Sequence, residues 1–599
     1  AQFSGSKMFT AIKGSGDVFQ KLTKKTPVDS IPKGYLYAIV NTKKLAAAIW
    51  TNAVEEKTDS IRLQKQTTKH DRVTTTKVWS GSWVYRAKEM KEPSPLPELK
   101  VVITNDLNND NLLDWQDGAI AYRDILNTPV GSDNIPNMVV QRIPMNFASQ
   151  ATNPFVKSLE ETKRVFLNTD GLGQYVILKG YGSEGHDSKH PDYGDIGYRQ
   201  GGAEELNVLA NAAKKYNTSI GVHINGTESY PEANAFNETL IDKTKKAWNW
   251  LDQSYYIDKR YDGVSGDRLR RLKSLKDQVP ALDFLYVDVW YAKGSWDSRQ
   301  LGREIHSLGL YYTTEFPQDH EYDAIWNHWA VDYKYGGKTI KGYNSKIVRF
   351  IRNHQKDTWI AKHPLLGGTE MVDFEGWQGR INYDDCIEVT FDVNLPTKYL
   401  QHFPIEKWEE KRITFANGIK VSTDSGKRII TKEGRILLKG NTYLLPWNPR
   451  TEEKLYHWND KGGSSSWELP TSWENISTVY AYQLTDLGKV NATEIPVINH
   501  QVELSAKAKT PYVIYQKKQQ KDTMVWGEGS LVKNMGFNSG DLHNWKLNGT
   551  NTSVRRNENG QYELSIDEGE NVSVSQTLKR VPKGHYYASV YVNTQNRKA

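Results

Sequence analysis

Two acidic residues lie at the ends of apolar segments that are predicted to be neighbouring β-strands. Asp288 follows the apolar run FLYV, and Glu315 comes near the end of LYYTTEF, 27 residues later. In a (β/α)8 barrel of about 250 residues, this spacing is close to one βα step. Neighbouring strands lie about 4.8 Å apart, so carboxyls at their tips can reach the separation of about 5–5.5 Å found in retaining glycosidases. Barrels that bind metals also carry acids at this rim, so the pattern by itself leaves both interpretations open.

A second acidic segment, DLNNDNLLDWQD, has the spacing of a calcium-binding loop. A hard cation prefers six to eight oxygen ligands, and alternate positions of such a loop point inward. Asn111 stands where glycine is usual, and the last position carries Asp rather than Glu. We predict a structural Ca²⁺, and no organic cofactor, with an Asn/Asp-rich surface turn as the alternative. Leu112 would contribute its backbone carbonyl and the other residues their side-chain oxygens. The predicted ligands are Asp106, Asn108, Asp110, Leu112, Asp114 and Asp117.

Other polar and aromatic residues are predicted on the same barrel face. Taken singly, each is more typical of packing in a core or at a rim. Together they favour a sugar site, because the flat faces of aromatic side chains suit the apolar faces of sugar rings. Further acids predicted at strand ends are Asp187, Glu228 and Asp332. The remaining candidates are His223, Trp248, Trp250, Trp329, Trp377 and Gln378.

The elements that must position these residues lie between about 138 and 400. Short β-rich runs there alternate with segments long enough for helices, which predicts a parallel sheet with helical crossovers. About 260 residues of this pattern favour a (β/α)8 TIM-like barrel over an open sheet. The last predicted strand steps, WIAKHPLLG and CIEVTFDV, are less regular, so the position of the eighth strand is not fixed by the pattern. The predicted strands are MVVQRI, YVILKGY, SIGVHIN, DFLYVDVW, LYYTTEF and HWAVDY, and the best predicted helices are GGAEELNVLANAAKKY and DSRQLGREIHSLG.

Strand-and-turn patterns flank this region on both sides. We predict a multidomain α/β protein, with the barrel flanked by β-sandwich domains. KEPSPLPELK is the predicted hinge before the barrel, and KKQQKD is a predicted linker after the first sandwich. The predicted domains are 1–95, β-rich; 96–410, the barrel with the calcium loop at its entry; 411–520, a β-sandwich; and 521–599, a partial carbohydrate-binding-like β-sandwich.

Composition narrows the function classes. The chain has 599 residues with a net charge of +7, too dilute an excess to indicate nucleic acid as a partner. No apolar run approaches the roughly 18 residues of a spanning helix, so we expect no membrane insertion. One cysteine, Cys386, excludes an intrachain disulfide and a Cys-built zinc site. The opening residues lack a secretory leader, so we expect either a cleaved leader or a piece of a longer protein.

Several long strings resemble the endo-α-N-acetylgalactosaminidases of glycoside hydrolase family 101. The resemblance runs from about 30 to 520, and the strings occur in the family's order. The terminal NMGFNSGDLHNW resembles, more weakly, the start of bacterial carbohydrate-binding jelly-rolls. The strings are LKGYGSEGHDS, GVHIN, WNWLDQ, YVDVW, HWAVDYKYGG, RFIRNHQKD and PLLGG with DFEGWQGR.

The resemblance implies a retaining enzyme that releases Galβ1-3GalNAc from Ser or Thr of mucin-type O-glycoproteins. It implies that Asp288 is the nucleophile and Glu315 the acid/base, and that the segment around the acidic loop holds a divalent ion. The loops WYAKGSWDSRQ and TTEFPQDHEYD depart from the family, so other O-glycan cores stay open as substrates. We expect an extracellular, secreted or cell-surface bacterial protein. The residues implied to line the sugar site are Asp187, His223, Trp248, Trp250 and Gln378.

Three alternatives remain at this stage. Another retaining barrel glycosidase, such as an α-galactosidase or an amylase-like enzyme, would release a monosaccharide or act on another linkage. A non-catalytic glycan-binding adhesin would have no need of the acid pair, yet both carboxylates are present. A metal-dependent barrel hydrolase is disfavoured because the rim has acids and few clustered histidines.

Overall fold

The computed structural model describes residues 1–5, 16–56, 61–249, 252–290, 294–317, 320–335, 342–360, 362–567 and 571–593. The N-terminal part forms an antiparallel sheet in the order β2-β1-β3-β4-β7, with β5 and β6 joined to it through β3. Because β7 pairs with β4 along its whole length, this sheet continues past the predicted boundary at residue 95. Its strands are β1 (Gln2–Gly5), β2 (Val18–Phe19), β3 (Lys33–Asn41), β4 (Ala46–Thr51), β5 (Leu63–His70), β6 (Val73–Ser80) and β7 (Leu99–Thr104).

The central part is a curled parallel sheet with helices outside it. Among the described residues the sheet runs in chain order, β8-β9-β10-β14-β15-β16, and β11 to β13 form a small separate sheet. The elements are α1 (Trp115–Tyr122), β8 (Val140–Arg142), α2 (Phe155–Asn168), β9 (Gln174–Leu178), α3 (Gly202–Ala212), β10 (Thr218–Asn225), β11 (Glu228–Ser229), β12 (Ile241–Asn249), β13 (Gln253–Ile257), α4 (Lys259–Val264), α5 (Asp267–Gln278), β14 (Phe284–Asp288), α6 (Ser295–Ser307), β15 (Tyr311–Thr314), β16 (Trp326–Asn327), α7 (His328–Val331), α8 (Lys346–Arg352), α9 (Tyr383–Val389) and α10 (Leu395–Gln401).

Side chains alternate between the two faces of this sheet, as the two-residue period of a strand requires. On β14, Leu285 and Val287 pack with the outer helices, whereas Phe284 and Tyr286 belong to the core inside the curl. By the same period Asp288 points inward, at the carboxyl end of the strand. Across the sheet, Gly221 leaves room for the Phe284 ring, since a Cβ there would lie 2.2 Å from it. The alternation therefore carries polar side chains at the strand ends into the concave face.

The predicted complete (β/α)8 barrel is not confirmed; the sheet is a curled half-barrel. Beyond β16 the chain makes one parallel bridge between Trp326 and Asp357. On the other side, Pro144 just past β8 makes one antiparallel bridge with Gly376. Because proline has no N–H to donate, a regular ladder cannot continue through it.

Two late segments predicted as strands are helical. HWAVDY was predicted as a strand, but β16 ends at Asn327 and α7 begins at His328. The Asn327 side chain accepts a hydrogen bond from Ala330 N and so caps that helix. CIEVTFDV, one of the irregular steps, lies in α9 and the π-helical turn that follows it.

From Ile405 onward the strands pair antiparallel. A β-sandwich is built from a sheet in the order β17-β18-β19-β20-β21-β22-β23-β28-β25-β26 and the pair β24-β27. The strands are β17 (Ile405–Trp408), β18 (Arg412–Phe415), β19 (Ile419–Asp424), β20 (Lys427–Lys432), β21 (Arg435–Lys439), β22 (Thr442–Trp447), β23 (Lys454–Asn459), β24 (Gly463–Glu468), β25 (Thr478–Thr485), β26 (Gly488–Pro496), β27 (Gln501–Ala506) and β28 (Tyr512–Tyr515), followed by β29 (Lys546–Asn548), β30 (Thr552–Arg556), β31 (Tyr562–Ile566) and β32 (Ser573–Ser575).

The last four strands pair as β29-β32 and β30-β31. The carbohydrate-binding-like character of this region stays a prediction. In the part of the chain that the structure describes, the helices are all too short or too polar to cross a bilayer.

Candidate active site

The two predicted catalytic acids lie side by side at the carboxyl ends of β14 and β15. These strands are parallel and in register, with Val287 opposite Thr314. The next residue on each strand is Asp288 or Glu315, and both side chains are buried, 4% and 8% exposed. The two carboxyls are close enough for each to shift the pKa of the other. The sequence prediction that these acids form a pair is thus matched by the geometry.

Asp288 is held in its charged form by its neighbours. Its Oδ2 accepts from Lys179 Nζ at 3.0 Å and from His223 Nε2 at 2.8 Å, and its Oδ1 accepts from the Tyr286 hydroxyl at 3.3 Å. Burial by itself would raise the pKa of Asp288, but Lys179 and His223 outweigh it and hold that pKa well below its ordinary value. Asp288 is therefore an anion at neutral pH, as a nucleophile must be.

Glu315 has the opposite protonation preference. Burial, and next the negative charge of Asp288, raise the pKa of Glu315 to about 8. Its Oε1 accepts from the Tyr335 hydroxyl at 2.6 Å and its Oε2 from Val289 N at 2.9 Å. Two carboxyls with pKa values pushed apart are the arrangement expected of an acid and its anionic partner. At neutral pH, Glu315 can donate a proton that Asp288 has already lost.

The turn after β14 contributes to this pair. Val289 has a φ of 48°, a left-handed conformation that is strained for a β-branched residue. The turn ends the strand at Asp288 and aims Val289 N at Glu315. A similar device follows β9, where Gly180 has a φ of 84° and a Cβ would lie 2.1 Å from Asn146 O. Both turns fix side chains of adjacent residues toward the concave face.

Three histidines surround a second buried carboxyl next to Asp288. Asp187 Oδ1 lies 3.3 Å from His186 Nδ1, 3.7 Å from His190 Nδ1 and 3.8 Å from His223 Nδ1. Burial, and then the charge of Asp288, raise the pKa of Asp187 to about 7. Burial lowers the pKa of His223 to about 4, so its ring is neutral and Nε2 carries the proton that Asp288 accepts. Asp187 and His223, both predicted for the sugar site, are thus next to Asp288.

A polar chain supports the pair from the other side. The Tyr286 hydroxyl lies 2.9 Å from His328 Nδ1, and His328 Nε2 lies 3.2 Å from Asp332 Oδ2. Asp332 also accepts from Arg380 at 2.7 Å. The His328 ring stacks on Tyr335 with centroids 4.1 Å apart. Asp332, one of the predicted rim acids, therefore belongs to a supporting network rather than to the reacting pair.

Two of the predicted tryptophans contact this centre. Trp377 lies under the ammonium of Lys179, 4.5 Å from the ring centroid, and its Nε1 donates to Asp332 at 3.0 Å. Trp329 is half-buried, packs against Phe316, and donates its backbone N–H to Glu315 O at 2.9 Å. Both residues were predicted from the sequence as substrate contacts, and the structure places them at the rim beside the acids.

The other predicted sugar-site residues lie farther out. Trp248 on β12 is 64% exposed, and its carbonyl accepts from Ser254 Oγ at 2.6 Å. Gln378 is exposed and has a φ of 54°. Glu228 is buried beyond the end of β10, where it accepts from Asn225 Nδ2 at 3.2 Å. Trp250 lies outside the described residues.

Sequence reasoning missed three side chains that touch the acids directly, Lys179, Tyr286 and Tyr335. A lysine that follows an apolar strand is usually solvated, but Lys179 is buried against Asp288. Its only sequence signal is its place directly after the apolar YVIL of β9. Tyr335 falls inside HWAVDYKYGG, a string that carried the family resemblance, but the string does not say which residue meets Glu315.

The acidic loop is organised differently. Asp114 caps α1 and Asp117 completes a capping box, accepting from Asp114 N at 2.9 Å. Asp110 Oδ2 pairs with Lys407 at 2.7 Å, and Leu112 is exposed. Only Asp106 Oδ1 and Asn108 Oδ1 are buried without a hydrogen-bond donor among the described residues. Two of the six predicted calcium ligands therefore offer inward oxygens, while Asp110, Asp114 and Asp117 have other partners.

Models of known protein families match most of the chain. The model described as endo-alpha-N-acetylgalactosaminidase matches residues 116–387, and the glycosyl hydrolase 101 beta sandwich domain matches 393–490. Domain 5 of endo-alpha-N-acetylgalactosaminidase matches 532–599, and a galactose mutarotase-like fold domain matches 1–115.

Individual proteins are also similar to this chain. A putative endo-alpha-N-acetylgalactosaminidase of Renibacterium salmoninarum is 38% identical over 97% of this chain. The chain spans 40% of the length of that relative. The alpha-N-acetylgalactosaminidase NagBb from Bifidobacterium bifidum, in complex with GalNAc, matches 65% of this chain and 72% of its own at 13% identity, with a TM-score of 0.42. The GH36 alpha-galactosidase AgaA from Geobacillus stearothermophilus matches 82% and 72% at 10% identity, with a TM-score of 0.36. With the catalytic, sandwich and fifth-domain models matched in order, the chain belongs to the endo-α-N-acetylgalactosaminidase family, glycoside hydrolase family 101.

Proposed function

We propose that this chain is the catalytic part of a retaining endo-acting glycoside hydrolase that acts on mucin-type O-glycans. Its substrate is Galβ1-3GalNAc linked to Ser or Thr, and the disaccharide leaves as one unit. Family membership and the name of the Renibacterium salmoninarum relative support this reaction. The observation that carries the proposal is the buried pair of Asp288 and Glu315 at the ends of adjacent strands, with their pKa values shifted in opposite directions.

The closeness of the two carboxyls favours retention over inversion. An inverting enzyme needs carboxyls about 6.5–9.5 Å apart to admit a water molecule, whereas a retaining enzyme holds them about 5–5.5 Å apart. Asp288 and Glu315 lie on adjacent registered strands and contact each other. This spacing suits direct attack by a carboxylate on the anomeric carbon.

The reaction would then proceed by double displacement. Asp288 attacks the anomeric carbon through an oxocarbenium-like transition state while Glu315 protonates the leaving Ser or Thr oxygen. The β-linked glycosyl-enzyme that forms is released by water, with Glu315 now acting as base. Esterification removes the charge of Asp288, one of the causes that raise the pKa of Glu315, so that pKa falls and favours the base role.

Side chains around the pair would bind the disaccharide. Asp187 and His223 lie beside the nucleophile, and Trp377 and Trp329 border the acids. Trp248 offers an exposed aromatic face on the small outer sheet. The departures in the loops after Asp288 and around Glu315 favour acceptance of O-glycan cores beyond the unsubstituted disaccharide. An extracellular location follows from this substrate, because mucin-type glycans occur on secreted and surface proteins.

We also propose a structural Ca²⁺ at the acidic loop. The inward oxygens of Asp106 and Asn108 support it, since a hard cation prefers oxygen ligands. Lys407 would have to leave Asp110 for that carboxylate to bind the ion. The ion would brace the start of α1 and has no part in the reaction.

The decisive experiment is incubation with a desialylated mucin-type glycopeptide. We expect Galβ1-3GalNAc as the released sugar, appearing first as the α-anomer in NMR spectra. Release of a monosaccharide would instead indicate an exo-acting galactosidase. Initial formation of the β-anomer would contradict retention, and binding without release would indicate a glycan-binding protein.

A further inference from the structure

His186, Asp187 and His223 form the one group of three or more potential metal ligands found among the described residues. One ligand atom from each lies within 4.8 Å of the others. Asp187 Oδ1 is 3.3 Å from His186 Nδ1 and 3.8 Å from His223 Nδ1. Ligand atoms of a tetrahedral zinc ion lie about 3.3–3.5 Å apart, given Zn–N bonds of about 2.0–2.1 Å. The Asp187–His186 pair already has the separation that such an ion requires, whereas the pairs that are farther apart, up to 4.8 Å, would have to draw together by about 1 Å.

We propose that these three residues bind a transition-metal dication, best matched by Zn²⁺, which inhibits the enzyme by occupying the floor of its sugar site. The two imidazoles in this set of ligands determine which class of metal ion it favours. Imidazole suits Zn²⁺, Cu²⁺ and Ni²⁺, whereas Ca²⁺ and Mg²⁺ prefer sites made of oxygens. With three protein ligands, the fourth position of a tetrahedral ion would remain for water.

The hydrogen bond to Asp288 prepares His223 for this role. His223 Nε2 donates to Asp288 Oδ2 at 2.8 Å, so its other nitrogen, Nδ1, presents a lone pair toward Asp187. A carboxylate that orients the far nitrogen of a metal-binding histidine is a common outer-shell partner in zinc sites.

The surrounding charges limit the affinity without abolishing it. Lys179, 3.0 Å from Asp288, repels a dication. Asp187 and Asp288 attract it, and so does Glu228, whose charge also raises the pKa of Asp187. His190 Nδ1 faces Asp187 but accepts from Asn225 N at 3.1 Å, so His190 is already used by the backbone. We therefore expect reversible binding that a chelator removes.

Inhibition follows from where the ion would lie, and this step rests on the proposed function. Asp187 and His223 are both proposed sugar contacts, so a metal on them excludes the sugar from that position. The expected pattern is competitive: Zn²⁺ raises KM and leaves kcat unchanged, and EDTA restores the original KM.

Binding is tested first, by titrating the chelator-treated full chain with ZnCl₂ in a calorimeter. Co²⁺, which reports its geometry in visible absorption, is the second probe. We expect one site per chain, with the affinity reduced at least about tenfold in His186→Ala and in the more conservative His186→Gln. His70→Ala is the matched control, because His70 forms an exposed pair with Asp71 and belongs to no group of three potential ligands among the described residues. Equal Zn²⁺ affinity in wild type and both His186 variants would overturn the site.

Two further measurements distinguish this site from a metal bound elsewhere in the chain and from one without effect on the enzyme. The Glu315→Gln variant must keep the wild-type Zn²⁺ affinity. If this variant loses Zn²⁺ affinity, the ion lies between the catalytic acids and the assignment is overturned. One bound Zn²⁺ that disappears in the His186 variants but leaves KM unchanged would overturn the inhibitory role. Failure of the proposed function is recognised separately, as absence of disaccharide release in metal-free enzyme, and does not affect the calorimetric result.

Discussion

The catalytic rim and the acidic loop both concentrate carboxylates, but the two regions use them in opposite ways. At the rim, Asp288 and Glu315 are buried against each other, and side chains from other strands and loops set their charges. In the loop, Asp114 and Asp117 accept hydrogen bonds from backbone N–H groups two to ten residues away. Local hydrogen bonds of this kind stabilise a turn or a helix start.

Burial and the type of hydrogen-bond donor, more than the number of acidic residues, therefore decide what a carboxylate can do. When two carboxyls are neighbours, the negative charge of one disfavours ionisation of the other, so their two pKa values separate. A carboxylate that caps the start of a helix already accepts hydrogen bonds from backbone N–H groups there.

Replacement of Asp288 by Asn should abolish turnover. The amide cannot form the glycosyl-enzyme, so we expect kcat to fall by more than about 10⁴-fold, while disaccharide glycopeptide still binds in calorimetry. The matched control is Asp283→Asn. Asp283 lies just before the other end of β14, where it accepts from Ile220 N at 2.9 Å, and its loss should leave kcat nearly unchanged. Full turnover in Asp288→Asn would contradict the nucleophile assignment.

Replacement of Glu315 by Gln should depend on the leaving group. A glycopeptide needs a proton at its Ser or Thr oxygen, so we expect a loss of about 10²–10⁴-fold with it. A nitrophenyl disaccharide leaves without that proton and should lose far less in the first step. The comparison is made from initial rates on both substrates with one enzyme preparation. Equal losses on the two would remove Glu315 from the acid role.

Tyr335→Phe should move the alkaline limb of the pH profile. The general acid must be protonated, so kcat/KM falls as pH rises through the pKa of Glu315, about 8. The Tyr335 hydroxyl bond lowers that pKa, so its removal should shift the limb to higher pH. Tyr333→Phe, at an exposed position two residues earlier, serves as the control and should keep the wild-type profile. A shift to lower pH in Tyr335→Phe would contradict the pKa-lowering effect of this bond.

In the acidic loop, the effects should fall on stability instead of rate. Asp117→Ala removes acceptors for Asp114 N and Leu107 N and should lower the free energy of unfolding by about 1–2 kcal/mol, with or without calcium. If Ca²⁺ is bound, EDTA should lower the Tm of wild type, and Asp106→Ala should lose that response. Calorimetric Tm values with and without EDTA make the measurement. An identical wild-type Tm in both conditions would leave the loop as a turn without an ion.

The sequence predicted the strands that position the candidate catalytic residues more accurately than it predicted the last segments of the parallel sheet. β10, β14 and β15 have apolar residues on both faces and were found from their β-rich runs. The run at 328–333 was misjudged as a strand, because Asn327 starts a helix by capping it, a local bond that hydrophobicity does not reveal. Lys179 was missed for a related reason: its burial depends on Asp288, which lies 109 residues away in the chain.

The smallest effect should come from Trp248, which contrasts with Trp377 as an exposed aromatic beyond the buried rim. Trp377 is packed under Lys179, whereas Trp248 is 64% exposed and has a face available to the outer part of a glycan. Loss of one stacking contact costs about 1 kcal/mol, so Trp248→Ala should raise KM about fivefold with kcat unchanged, the pattern of a contact made equally in ground and transition states. Tyr85→Ala, at an exposed aromatic of the N-terminal domain, is the control. If KM on a glycopeptide is the same in both variants, the sugar site ends at the buried rim and Trp248 lies outside it.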